Sequence, residues 1–302
     1  MTTIVGPRHR LGRTTLAPYL FILPFASLFA FFVLAPMLYA AQLSLFRQTI
    51  VGGNRFVWFD NYARALVDPD FWDGVSNMLL FGAIFIPTLI AFALAAALIL
   101  DTDVIRRKSL FRIGIFLPYA IPAVISTLLW GYLYGRNYGP VAQIAKALDL
   151  RPPNFLSDGM ILPSLANVAI WQSTGYYFVI LYAALQSIPT DLADAAAIDG
   201  ANRWTYAWHV KIPIIAPTIS IVLVFAVIGT LQLFNEPYLL RIAAPDVINV
   251  HFTPNIYAYG LAFINHQYNY SAAISFAIGA LVAILSYLLI WSVSRRSGGK
   301  LS

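Results

Sequence analysis

Asp, Glu, Lys and Arg are missing from six long stretches of this 302-residue chain: Thr14 to Phe46, Gly74 to Leu100, Ile113 to Gly135, Gly159 to Thr190, Ile212 to Asn235 and Val247 to Ser294. A helix crossing the hydrocarbon layer needs about 20 consecutive apolar residues, and every stretch is long enough for one. The runs do not alternate apolar with polar residues, as β-barrel strands do, so helices are expected. The rest of the composition agrees. The chain is 60% hydrophobic and 11% charged, with a mean hydropathy of +0.72, whereas a soluble domain is about 45–50% apolar and about 25% charged. A soluble enzyme and a disordered chain are both excluded. With no cysteine, a disulfide scaffold, a Cys-ligated zinc site and a thiol nucleophile are excluded too.

The reading is therefore an all-α membrane protein with six spans, at about 16–46, 77–100, 113–134, 162–186, 214–234 and 271–293, between short tails at 1–15 and 294–302. The first stretch is too long for a signal-peptide core of about 7–15 residues, so it is expected to persist as a span. The last stretch is long enough for two spans. Its first half carries His251, Asn255, Asn265, His266, Gln267 and Asn269, and reads as a loop outside the hydrocarbon.

Twelve of the 19 Lys and Arg residues fall on the face that holds both termini, the second loop and the fourth loop; seven fall on the other, whose loops are longer. Acids run the other way, five against eight. The richer face is read as cytoplasmic, so the net charge of +6 is a topology signal and not a nucleic-acid footprint.

No span carries a fixed charge in its middle. The nearest is Glu236, the single Glu of the chain, at the outer end of span five. Proton-coupled carriers keep titrating groups inside the membrane, which weakens that class here but leaves Na⁺ coupling through neutral oxygens open. No Arg-rich voltage sensor, TVGYG-like filter or G-x-x-x-x-G-K-[ST] loop is present. If the chain serves uphill transport without Na⁺ coupling, the energy is expected to enter through another chain. The four histidines lie on different loops and both faces, which argues against a membrane-embedded enzyme.

What the spans do carry is neutral and aromatic: Trp130, Tyr132 and Tyr134; Asn167, Trp171, Gln172, Ser173, Thr174, Tyr176 and Tyr177; Thr230, Gln232 and Asn235. Sugars are bound by amides and hydroxyls with aromatic faces against the ring C–H groups, and this set suits that chemistry. Trp and Tyr also anchor membrane interfaces, and Asn, Gln and Ser also join helices. Trp130, Tyr132 and Tyr134 fit the anchor reading better. Trp171 and Gln172 fit pocket and packing equally.

The fourth loop, 189–213, holds Asp191, Asp194, Asp199, Arg203, His209 and Lys211 and is no span. It reads as two short helices. Asp191 and Asp194 sit near the positive end of the first, Ala195–Ala197 build it, Gly200 ends it in an αL turn, and the second runs through Trp204 and Trp208 to Pro213. Small residues and a few acids on the cytoplasmic face suit a groove on a partner; an interfacial amphipathic loop is the alternative.

This loop resembles the EAA loop of binding-protein-dependent ABC importer permeases, of the form EAA, three residues, G, nine residues, I-x-L-P. The counterparts are Asp194-Ala195-Ala196, Gly200 and Val210-Lys211-Ile212-Pro213, with Asp199-Gly200-Ala201 for the usual DGA. The resemblance runs from about Tyr19 to Trp291 and is to the sugar-type permeases similar to the maltose and glycerol-3-phosphate systems, through WFDNYARALVDPDFWDGVSNMLLF, LPYAIPAVISTLLWGYLY, IWQSTGYYFVILYAALQSIP and LQLFNEPYLL. Two places depart from the pattern. Asp194 replaces Glu, and Arg241-Ile242-Ala243-Ala244-Pro245 keeps only the Pro of a Thr-Gly-Gly-Gly-Pro-like turn.

The resemblance implies a type I permease fold in a bacterial inner membrane. It implies a second permease, two ATPase subunits and an extracytoplasmic solute-binding protein as partners. ATP and Mg would be bound by the ATPase chains, and none of the chemistry by this one. It assigns ATPase docking to Asp194, Ala195, Ala196, Asp199, Gly200, Ala201 and Arg203. By position it assigns sugar contacts to Trp171, Ser173, Tyr176, Asn235 and Glu236. The rival expectation is a Na⁺-coupled secondary transporter of a small polar solute, which predicts an inverted repeat; none is visible in the sequence.

Overall fold

The computed structural model describes residues 17–49, 53–102 and 105–297; the expected N-terminal tail and the end of the C-terminal tail lie outside them. The chain starts with α1 (Ala17–Phe29), a π-helical turn (Ala30–Leu34) and α2 (Ala35–Ser44), which form one continuous helix. A short antiparallel hairpin follows, β1 (Phe46–Thr49) against β2 (Gly53–Phe56), with Phe46 opposite Phe56 and Arg47 opposite Arg55. Then come α3 (Asp60–Val67) and the long α4 (Pro69–Asp101). Asp68 starts α4 by accepting the Asp70 N–H at 3.1 Å, and Pro69 takes the first helical position, where no N–H is needed.

The stretch read as a single third span is broken. It forms α5 (Lys108–Ala120) and α6 (Ala123–Leu133), bent by 93°. The cause is local: Pro122 forces Ile121 out of the helical region, to φ −80° and ψ 130°. Next are α7 (Pro140–Ala147), α8 (Ile161–Gln186), α9 (Asp191–Ile198) and α10 (Arg203–Tyr206). A second π-helical turn (Ala207–Lys211) joins α10 to α11 (Ile212–Leu231), so the second helix of the fourth loop runs straight into the fifth span. Pro213 does not interrupt it, because it falls directly after the π-helical turn, in the first turn of α11, where the bonding pattern changes and its missing N–H is tolerated. The chain closes with α12 (Asn235–Leu240), α13 (Pro254–Phe263) and α14 (Tyr268–Ser297).

Five of these helices are long and apolar enough to cross a membrane, and six when the bent pair counts as one span. The stretch 247–270, read as a loop, contains α13. Thr253 caps it, its hydroxyl accepting the Ile256 N–H, and Pro254 occupies the first turn. Pro254, Ile256, Tyr257 and Leu261 are buried, so amide-rich flanks surround a helix that packs.

The core lies where α4, α8 and α11 meet, around Phe81, Phe85, Leu89, Leu165, Phe178, Leu181, Val222 and Ala226. A second cluster joins α3, α4, α13 and α14 through Ala65, Phe71, Val75, Leu261 and Ile274. Helix α5 crosses α8 at Gly175, where a β-carbon would stand 2.5 Å from the Ile115 carbonyl oxygen and 2.7 Å from the Phe116 Cα. Between helices in lipid, small residues of this kind permit the backbone approach that dispersion forces require. The first span is different: its candidate membrane segment, Pro18–Ser44, has no buried residue over its most apolar window, and Phe21, Phe25 and Phe31 are exposed.

Candidate docking surface and pathway face

Helix α9 ends in a Schellman turn. Gly200 has φ +75°, the Ala201 N–H bonds the Ala196 carbonyl at 2.9 Å, and the Gly200 N–H bonds the Ala197 carbonyl at 3.1 Å. Any other residue at this φ is strained by its β-carbon. Asn202 then caps α10, its side-chain oxygen accepting the Thr205 N–H at 2.8 Å. The reversal is thus specified by Gly200 and Asn202, two residues apart.

Asp194 lies in the first turn of α9, Asp199 at its C-cap and Arg203 at the start of α10, and all three are exposed. None makes an ion pair or side-chain hydrogen bond among the described residues. Ala195 is exposed, whereas Ala196 and Ala201 are half-buried and line a cleft of about 260 Å³ with Asp101, Tyr206 and Lys211. Apolar side chains stand outward beside the acids: Ile198 is 88% exposed and Trp204 71%. A charged and apolar surface left this exposed among the described residues is what a docking element presents.

Behind this surface a polar knot joins three helices. Lys211, in the π turn leading into α11, forms an ion pair with Asp101 at the end of α4, and both side chains are largely buried, 15% and 9% exposed. Gln186, at the end of α8, donates its amide to the other Asp101 oxygen at 2.5 Å. The turn before α11 is therefore tied to the same ends of α4 and α8 that flank the core.

The residues expected to contact sugar fall into two groups. Trp171 meets Trp130 of α6 edge-on, ring centroids 5.8 Å apart, and Tyr176 stacks on Tyr119 of α5 at 5.1 Å. Ser173 lies between them on α8, half-buried like both. Asn235 and Glu236 begin α12, on a separate element, with Asn235 exposed and Glu236 half-buried. Gln172 serves packing: its amide donates to the Ile121 carbonyl at 3.2 Å, the group left unpaired by the break between α5 and α6. Backbone groups freed inside a membrane have to find such partners.

The break at the end of α11 is handled alike. Asn255 of α13 donates to the Leu231 and Leu233 carbonyls at 3.1 and 3.4 Å. Beside it a cavity of about 320 Å³ is lined by Gln232, Phe234, Tyr259, Phe263 and Ser275 among others. Phe234 stacks on Tyr238 at 5.0 Å, and Tyr259 meets both rings. The sequence does not single out Tyr259 and Phe263 as lining residues because their helix reads as a loop; Thr253-Pro254, a capping residue followed by proline, is the signal for that helix.

At the opposite end of α4 from the Asp101–Lys211 pair, Asp68 accepts hydrogen bonds from the phenols of Tyr257 (2.8 Å) and Tyr270 (2.5 Å), joining α4, α13 and α14. Burial alone would raise the Asp68 carboxyl. The two phenols and the Asp70 and Phe71 backbone N–H groups outweigh it and hold the carboxyl below its usual value. Burial, and the bond to Asp68, push the Tyr257 phenol up.

Comparison with known proteins places this architecture. A family model described as "Binding-protein-dependent transport system inner membrane component" matches residues 104–296. The lactose transport system permease protein LacF of Rhizobium radiobacter is 32% identical over 285 residues, 92% of this chain and 94% of that protein. The trehalose/maltose transport system permease protein MalF of Thermococcus litoralis is 28% identical over 276 residues, covering 91% and 90%. A crystal structure of a bacterial alginate ABC transporter, in complex with alginate pentasaccharide-bound periplasmic protein, superposes with a TM-score of 0.77 over 93% of this chain and 94% of its own, at 22% identity. The Na⁺-coupled alternative is set aside by these matches.

Proposed function

This chain belongs to the family of binding-protein-dependent transport system inner membrane components, and from that premise we propose that it forms one half of the translocation pathway of an ATP-driven importer for a carbohydrate. The observation that carries the reading is near full-length similarity to LacF, a lactose permease by name. The neutral, aromatic groups around Trp171, Tyr176 and Tyr259 support it, since they offer ring faces to the solute, with Glu236 the single carboxyl among the proposed contacts. A sugar, an oligosaccharide or a related polyol fits such a wall.

The division of labour follows. Two partner ATPase subunits bind ATP and Mg and hydrolyse it; a second permease completes the pathway; an extracytoplasmic binding protein delivers the sugar. The docking group is Asp194, Ala195, Ala196, Asp199, Gly200, Ala201 and Arg203, and the sugar contacts are Trp171, Ser173, Tyr176, Asn235 and Glu236. Both termini are cytoplasmic in this reading, by the distribution of Lys and Arg. The domain layout is the six-span domain at 16–293 between its two tails.

The coupling route is mechanical. A push on α9 passes through the Gly200–Asn202 reversal into α10, which is continuous with α11. The Lys211–Asp101–Gln186 knot carries it to α4 and α8. Rigid helices joined this way move as one body, which is what alternating access needs.

The test is purification of the chain from native membranes with its associated proteins, followed by reconstituted uptake. Co-purification of an ATPase and a second permease, with sugar uptake that needs ATP, supports the proposal. A chain that purifies alone and transports without ATP overturns it.

A further inference from the structure

Three arginines gather on the face read as extracytoplasmic, although that face is net acidic by count. Arg47 and Arg55 stand directly opposite each other in the hairpin, an arrangement of like charges that costs stability unless an anion intervenes. Arg64 lies on the adjacent α3. Asp60, 2.5 Å from Arg47, is the single acid within ion-pair distance of any of the three among the described residues. Arg64 is held over the Tyr270 ring, 3.9 Å from its centroid.

Arg47 and Arg64 line a cleft of about 480 Å³, together with Gln48, Asn265, His266 and Gln267. No carboxylate lines it. The Arg47 Nε is buried and lacks any hydrogen-bond partner, and an unpaired buried donor is a costly arrangement. The chemistry of the cleft is that of a carboxylate receptor: guanidinium forks with amide donors around them.

The hairpin indicates which way the cleft faces. Side chains alternate across a strand, so Phe46 and Phe56, paired edge-on at 5.1 Å, lie on the side opposite Arg47 and Arg55. Trp58 extends that aromatic side, 4.7 Å from Phe56, and both are exposed. Exposed aromatic rings at the end of a span settle at the membrane interface. The guanidinium side then turns away from lipid, toward water and whatever docks there.

We propose that this cleft receives an acidic side chain, Asp or Glu, of the extracytoplasmic solute-binding protein, with Arg64 as the principal cation and Arg47 as the second. The inference rests on the importer reading and adds a place and a chemistry for the docking contact.

The test uses the complete transporter in nanodiscs of zwitterionic lipid, with ATPase activity followed against the concentration of its binding protein. Arg64→Gln and Arg47→Gln, which keep most of the side-chain stem, are each expected to raise the half-saturating concentration about tenfold at low salt. Basal ATPase should be unchanged, and the difference should shrink at high salt. Arg64→Lys should recover part of the loss. Unchanged half-saturation in both Gln variants, with the wild type stimulated, overturns the inference and leaves the importer reading standing. A defect that appears only in nanodiscs containing anionic lipid also overturns it, since the cleft is then a headgroup site. A wild-type complex that no binding protein stimulates overturns the importer reading itself.

Discussion

Asp68 and Asp194 are the same residue type at the start of a helix, and the structure uses them in opposite ways. Asp68 caps α4 and accepts two phenols from helices distant in sequence. Asp194 sits in the first turn of α9, exposed, with no side-chain partner among the described residues. One acid is consumed in holding the fold together. The other is left with only the helix dipole to stabilise it, so its charge is available to another molecule. The lesson extends to the whole regions around them. The Asp68 junction is knitted across α3, α4, α13 and α14, while α9 has no fully buried residue and is anchored through the knot behind it.

The comparison breaks most severely at that knot. Asp101→Ala leaves the Lys211 ammonium without its carboxylate in a largely buried place and is expected to cost about 3–5 kcal/mol. The loss should appear as a large drop in the detergent thermal-unfolding midpoint, and Asp101→Ala combined with Lys211→Met should recover much of it. Recovery absent from the double variant would show that the ion pair is not what joins the turn to α4.

Gly200→Val comes next. A β-branched residue at φ +75° costs about 1–2 kcal/mol locally, so insertion and bundle stability should survive. ATP-driven uptake should be lost, because the reversal that presents α9 is displaced. Wild-type uptake in this variant would separate the turn from coupling.

At the Asp68 junction, Asp68→Asn is expected to lower stability by about 1 kcal/mol, allowing for partial exposure. The pH dependence has a definite sign. The folded carboxyl is held below its unfolded value, so its contribution is complete above the unfolded value and disappears as pH falls through the folded one. Wild-type unfolding midpoints should therefore decline at acid pH more steeply than those of Asp68→Asn. Parallel profiles would mean that the phenol bonds do not stabilise the charged form.

Asp194→Lys is the smallest perturbation to the fold and sharpens the contrast. Its unfolding midpoint should stay within about 0.5 kcal/mol of wild type, as for surface changes generally. Association with the ATPase subunits should weaken several-fold and more at low salt. A stability loss as large as that of Asp68→Asn would place Asp194 among structural acids after all.

Much of this was visible in the residues before any coordinates. The charge-free stretches marked the spans, and Gly200 marked its αL turn, because both depend on local chemistry: transfer out of water for one and β-carbon sterics for the other. The break in the third span was legible too, in Ile121-Pro122, but a window of uniform apolarity hid it. Helix α13 was hidden by the reverse effect. Its flanks are rich in His, Asn and Gln, so the segment reads as solvated although Ile256 and Leu261 are buried. The segment 189–213 reads as one unit because its residues are contiguous. Whether Trp171 and Asn235 meet is not legible, because they lie on elements far apart in the chain.

The sequence by itself determined that this is a multi-span helical protein, where its fourth loop reverses, and which family it belongs to. Those properties follow from composition over about 20 residues and from short motifs. Only the tertiary structure decided which amides close the breaks, Gln172 at Ile121 and Asn255 at Leu231, and which acid is paired and which is left open. It also decided that Arg47 of the hairpin and Arg64 of a helix line one cleft. A side chain's chemistry is written in the sequence, but its partner is set by which helices pack together, and in a bundle those partners can stand 50 to 200 residues apart, as Asp68 and Tyr257 do, 189 positions from one another.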